Sequence, residues 1–184
     1  MLPNEEFVVR AALIPKMVES GVISPAKAVA DFHKHVDEDG NAVYTLSVGE
    51  EQKLQSWEMK HDFGCRVAAV TNRAMEARTA AEPHKFVRTF YRGCYRMHVE
   101  EIHGIASDIF QIEVHRRPTV DLPEHCDIEL RRTGSDATKG TISAARTRIL
   151  AQLRLMLRDP QEHICKCDLD CIEMLEPIKL ILSH

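Results

Sequence analysis

The clearest periodicity in the chain lies between Thr141 and Arg158, where Ile142, Ala145, Ile149, Leu153 and Met156 recur at three- and four-residue steps. Leu150 and Leu157 widen the row into a stripe broad enough to lie on a sheet. Arg146, Arg148, Arg154 and Arg158 fall mostly off the stripe, toward water. Asp159-Pro160 ends the predicted helix, because proline cannot extend the hydrogen-bond ladder and restrains the residue before it. Two alternating runs precede the helix. Phe110, Ile112 and Val114 oppose Gln111, Glu113 and His115; Cys126, Ile128 and Leu130 oppose Asp127, Glu129 and Arg131. A period of two with one apolar face predicts antiparallel strands that pack on one side and meet water on the other. Pro118 and Pro123 mark a long turn between them, and Thr133 to Gly140 is a polar loop. Beyond the helix, His163 to Cys167 and Ile178 to Leu182 read as short strands.

The first half carries weaker signals. Glu5 to Ile14 fits either a helix or a strand, and Pro15 breaks it. Ser24-Pro25 is a helix-start signal, and Ala28, Val29, Phe32 and Val36 make one face of a helix expected to run to about Val36. Asp37 to Asn41 is a turn, and Val43 to Val48 a strand with Tyr44, Leu46 and Val48 on one side. Glu50 to Ala81 is rich in helix formers and predicts one helix broken near Gly64, or two. Phe86 to Glu101 is ambiguous, since Arg88, Arg92 and Arg96 are four apart while Val87, Tyr91, Tyr95, Met97 and Val99 alternate with polar residues. Its aromatic and β-branched content, with Gly93, favours a strand with a bulge. The expected fold is therefore α+β: an antiparallel sheet in the C-terminal half with one long amphipathic helix across it, preceded by a mainly helical N-terminal half. The border falls near Pro83, giving an N-terminal subdomain or extension (1–83) and a sheet-and-helix region (84–184) in one compact unit.

Composition narrows function only a little. An apolar content of 44% supports a real core, and a net charge of -4 argues against a dedicated nucleic-acid binder. The acidic start, Met1 to Glu6, is unlike a secretory signal, and no apolar run has the length of a membrane span, so the chain reads as cytoplasmic. In that compartment six cysteines point to buried thiols or metal ligands before disulfides.

The sharpest candidate site is His163, Cys165, Cys167 and Cys171, since thiolates and imidazole suit zinc and four of them close a tetrahedron. The spacing is C-x-C followed by x3-C, less usual than paired C-x2-C, and His125 and Cys126 could complete such a site. Asp168, Asp170 and Glu173 read as a solvated turn rather than a calcium loop. His33-Lys34-His35 resembles the paired histidines of metal-dependent DNA-nicking enzymes, but a lysine replaces the apolar middle residue. An expected helix would also splay the two rings. Asp121 with Asp127 and Glu129 loosely suggests a nuclease carboxylate pair. Arg131 stands where such a site wants a lysine and stays protonated, so an exposed strand face with cross-strand ion pairs is expected. Cys94 with His98, or Cys126 with His125, could be a thiol–base pair. Arg88, Arg92 and Arg96 with Tyr91 and Tyr95 form a basic-aromatic stretch that could hold phosphate, RNA or a protein partner. No GxGxxG, GxxxxGK[ST] or GxSxG occurs.

The order of elements from Phe110 to Val114, Cys126 to Leu130, the acidic loop at Asp136 and the helix at Thr141 to Arg158 resembles that of ring-forming phage tail-terminator proteins. The resemblance uses no specific motif. It implies a non-enzymatic, homo-oligomeric assembly subunit without a cofactor, found in the cytoplasm or incorporated into a virion. The alternative is a small zinc-binding module touching nucleic acid through Arg88, Arg92 and Arg96. A hydrolase or nuclease built on a His–acid set comes third. Expected partners are copies of itself or other proteins of an assembly, with nucleic acid less favoured and a membrane not expected.

Overall fold

The structure, a computed structural model, describes residues 1–19, 22–30, 32–133 and 137–162. In chain order its elements are β1 (Phe7–Ile14), β2 (Val18–Glu19), β3 (Val22–Ile23), α1 (Pro25–Ala28), β4 (His33–Val36), β5 (Ala42–Glu50), α2 (Trp57–Arg78), β6 (Phe90–His98), α3 (Val99–His103), β7 (Phe110–Arg116), β8 (His125–Arg132), α4 (Lys139–Met156) and β9 (Arg158–Glu162). Seven strands form one antiparallel sheet in the order β7-β8-β5-β1-β6-β9, with β4 also paired to β5, while β2 and β3 form a separate two-stranded sheet.

A mainly helical N-terminal half is not what forms. That half is strands plus α2, and its strands β1 and β5 sit inside the sheet, between β8 and β6. The physical reason is burial on two faces. Val8 packs in the cluster with α4 and Val9 in the cluster with α2, and both are fully buried. A strand covered on both sides loses the alternation that announces it. The helix expected from Ser24 to Val36 is a single turn, and His33–Val36 is strand instead. A hairpin wins there: Asp37 Oδ1 accepts from the Asn41 amide at 2.8 Å, Gly40 takes a φ of +82°, and β4 gains a partner in β5.

Helix α2 starts later than expected and does not break. Ser56 Oγ accepts from the Met59 amide at 3.2 Å, a standard N-cap. Gly64 lies within the helix because a Cβ there would run into the Tyr91 ring on β6. Strand β6 carries its irregularity where expected: Ala12 faces Gly93 and Leu13 faces Tyr91, leaving Arg92 as the extra residue. Helix α4 is capped by Thr138 and stops at Met156, two residues short of the expected end, because Arg158 already pairs with Arg96 as part of β9.

The two helices divide the sheet unequally. Ala145, Ile149, Leu150 and Leu153 of α4 pack on one face, against side chains from β1, β5, β6, β7 and β8. On the other face Phe63 and Ala68 of α2 pack against Val9, Ala11, Leu13, Tyr91 and Cys94, and this cluster takes nothing from β7 or β8. Strands β1 and β5 pair only at Val8–Glu50 and Val9–Gly49, and then separate. Arg10 fills the gap, donating from Nη1 to the Ser47 carbonyl at 2.6 Å and from Nε to the Ala28 carbonyl at 3.0 Å. Burial lowers its pKa to about 10, with Asp127 opposing the shift. Among the described residues no helix is long and apolar enough to cross a membrane.

Candidate functional site

The half of the sheet that the α2 cluster does not reach is lined mainly by polar side chains. In an antiparallel ladder directly opposed residues share a face. The register therefore lines up His33, Thr45, Glu129 and Glu113 in one row, Ser47, Asp127 and His115 in the next, and His35, Val43, Arg131 and Gln111 in a third. Gly49 and His125 form the row at the border with α2. All these residues stand opposite the face that Tyr44, Leu46, Ile128 and Ile112 turn toward α4.

Ion pairs and hydrogen bonds knit this face together. Glu129 is 2% exposed at its side chain, although Arg117 and Arg131 above it are 49% and 37% exposed. Arg117 Nη2 lies 2.6 Å from Glu129 Oε1 and Arg131 Nη2 lies 2.7 Å from Oε2. Arg131 also reaches Asp37 at 3.1 Å, tying the β4–β5 turn to β8. Burial pushes the Glu129 carboxyl up, but hydrogen bonds from the two arginines outweigh it and hold it below the usual range. His115 Nε2 and Gln111 Nε2 meet the two oxygens of Glu113 at 2.8 and 2.7 Å.

Ser47 and His125 form the closest hydroxyl–imidazole pair on the face, with Oγ 2.7 Å from Nε2. Nδ1 stands 2.8 Å from the Arg117 carbonyl, an acceptor only, so it carries the proton and donates. With the proton on Nδ1 alone, Nε2 accepts from the Ser47 hydroxyl. Asp127 Oδ1 is 3.5 Å from that same Nε2. Burial raises the Asp127 pKa, His125 lowers it less, and Glu129 adds to the rise.

The residues singled out from sequence fare unevenly. His163, Cys165, Cys167 and Cys171 lie outside the described residues. Among the described ones, no three His, Cys, Asp or Glu side chains converge as metal ligands. Arg88 is exposed, its guanidinium 5.9 Å from the Phe90 ring centre. Arg92 is the bulge residue. Arg96 stacks on Phe7 at 4.2 Å and is bound to Glu51 at 2.7 Å and Asp159 at 3.3 Å. Tyr91 is buried beneath α2, whereas Tyr95 is buried in another cluster with its hydroxyl donating to the Ile23 carbonyl at 2.7 Å. The structure thus does not bring these five onto one surface. Cys94 is buried beneath α2 and His98 stacks on Phe7, while Cys126 points into the α4 core, away from His125. Asp121 pairs with Arg73 of α2 at 2.8 Å. His33 and His35 stand on a strand rather than the expected helix, so their side chains share a face instead of splaying.

A separate cleft of about 310 Å³ opens beside Glu6, Phe7, Glu51, Lys60 and Arg96. Its charges answer one another, since Glu51 binds both Lys60 at 2.8 Å and Arg96 at 2.7 Å. Ser47 is a site residue that sequence reading did not single out. The signal was present in VYTLSV, where Thr45 and Ser47 alternate with apolar neighbours as Asp127, Glu129, Gln111 and Glu113 do. Comparison of the chain with known protein families, with curated proteins and with solved structures gives no match.

Proposed function

We propose that the chain is a non-enzymatic interaction protein that assembles with copies of itself through the polar half of the sheet. The observation that carries this reading is the asymmetry of cover: α4 spans one face, whereas the apolar cluster of α2 reaches only part of the other. The rows beyond that cluster carry both signs, Arg131 among Glu113, Asp127 and Glu129, with Arg117 beside them. A two-fold contact places one face against itself after a half turn, and a face with both signs offers each copy opposite charges to pair. Charged faces contribute specificity and salt dependence more than affinity.

The titrating groups support a binding role over catalysis. Burial pushes Cys126 up to about 12 and also raises Cys94, the direction opposite to an activated thiol. Ser47 and Asp127 both face Nε2 of His125, whereas in an acid–histidine–serine relay the acid holds the other ring nitrogen. A phage structural subunit of the tail-terminator kind is a special form of this reading, but a closed ring needs two different patches meeting head to tail.

The test is native mass spectrometry and sedimentation of the purified chain over a wide concentration range, at low and high salt. The expected result is a concentration-dependent dimer that weakens with salt and with Arg117→Glu. A ring would give a larger closed multiple of the chain mass. A strict monomer at every concentration overturns the proposal.

A further inference from the structure

His33 and His35 are both exposed and two residues apart on β4. Strand geometry sets such residues on one face, about 7 Å apart along the chain. Their partners in the register, Thr45 and Val43, place both on the polar face. Lys34 pairs with Tyr44 and therefore stands on the opposite face, so its charge does not sit between the two imidazoles. Neutral imidazoles are the commonest ligands of zinc-like divalent ions, and structural zinc takes four ligands. One copy supplies two here, and no third His, Cys, Asp or Glu converges with them among the described residues. Among the described residues strand β4 is paired to β5 alone, and a second chain at its other edge would complete the pairing.

We infer that His33 and His35 of two copies together hold one zinc-class divalent ion, which closes a two-fold contact at the β4 edge of the polar face. Among the described residues of a single chain the site is incomplete. The inference rests on the self-association proposed above and adds a metal requirement to it.

The experiment compares the full chain with His33→Gln/His35→Gln, each in EDTA and with added zinc, by native mass spectrometry and sedimentation. Both residues are exposed, and the single His35→Gln variant provides the same test with less change. For the wild-type chain we expect zinc to tighten dimerisation at least tenfold, with one ion per two chains beyond any held by single chains. The double variant should lose that gain and keep whatever association persists in EDTA. Dimerisation in EDTA that zinc leaves unchanged would sustain the self-association reading and overturn this inference. Association that needs zinc and disappears in the variant would sustain the inference while removing the metal-free contact. A zinc effect of equal size in wild type and variant overturns it, because the ion is then held elsewhere, as at the C-terminal cysteines.

Discussion

Gly49 stands where the polar half of the sheet gives way to the half under α2, and replacing it with alanine tests how tightly that border is packed. The residue pairs with Val9 on one side and His125 on the other. A Cβ there would lie 2.7 Å from Phe63 Cζ and 2.9 Å from Leu54 Cδ1. The ring tip must therefore retreat about 0.7 Å to reach the 3.4 Å at which ordinary contact begins. Phe63 and Leu54 are 1% and 2% exposed, so that space comes from a closed core. Overpacking of this kind costs about 1–3 kcal/mol, and removing a glycine from a strand returns about 0.5–1 kcal/mol, leaving a net loss of up to about 2.5 kcal/mol. The assay is urea unfolding followed by far-ultraviolet circular dichroism, read as a lower midpoint at unchanged slope. Phe63→Leu removes the ring tip, so Gly49→Ala made in that background should cost about 1 kcal/mol less than in the wild-type chain. A higher midpoint for Gly49→Ala alone, or an equal loss in both backgrounds, would refute the packing argument.

Ser56→Ala removes the N-cap of α2 and should lower stability by about 1 kcal/mol, with faster amide exchange confined to the first turn of the helix. Tyr95→Phe deletes the buried hydroxyl bonded to the Ile23 carbonyl, and a loss of about 1–2 kcal/mol is expected in denaturant unfolding. Asp127 and Glu129 should give opposite signs. The folded state raises the Asp127 pKa, so this group's contribution falls as pH rises through the ordinary carboxylate range toward the raised value. Asp127→Asn should therefore raise the melting temperature at neutral pH and change little in acid. The folded state lowers the Glu129 pKa, so its contribution is present above the ordinary value and lost as pH falls through the lowered one. Glu129→Gln should lower the melting temperature at neutral pH and much less in acid. Melts of the three chains between about pH 3 and pH 8 check both, and equal signs at neutral pH would count against the assignment.

Strands β7 and β8 were legible because each buries one face, so the order of apolar and polar residues reports the fold directly. Strand β1 was not, because α4 and α2 cover it on both sides and the run FVVRAALI keeps no period of two. Such a run cannot be told from a helix by pattern alone. The stretch from Ala28 to Val36 misleads for the converse reason. Its spacing is helical, yet Val36 is 63% exposed and serves no apolar face. The pairing of β4 with β5 overrides the spacing, and that choice depends on a partner strand rather than on local propensity. Gly64 reads as a break in sequence, whereas the fold uses it to bring α2 close to Tyr91.

The candidate site was legible in part. Cross-strand ion pairs were expected around Asp127, Glu129 and Arg131; Arg117, just past β7, does bind Glu129 on β8, whereas Arg131 binds Glu129 along one strand. Alternation predicted that Glu129 would be exposed, but the stems of Arg117 and Arg131 cover it. Ser47, His33 and His35 join the face only through the order β4-β5-β8-β7, which brings together segments some 80 residues apart in the chain. The histidine pair shows most directly why residue types alone did not settle the chemistry. On a helix, positions 33 and 35 diverge by about 200° and cannot share an ion. On a strand they return to one face. The backbone conformation of four residues, fixed by the turn at Asp37 and Gly40 and by the hydrogen bonds of β5, decides whether the same sequence offers two separate imidazoles or one pair of ligands.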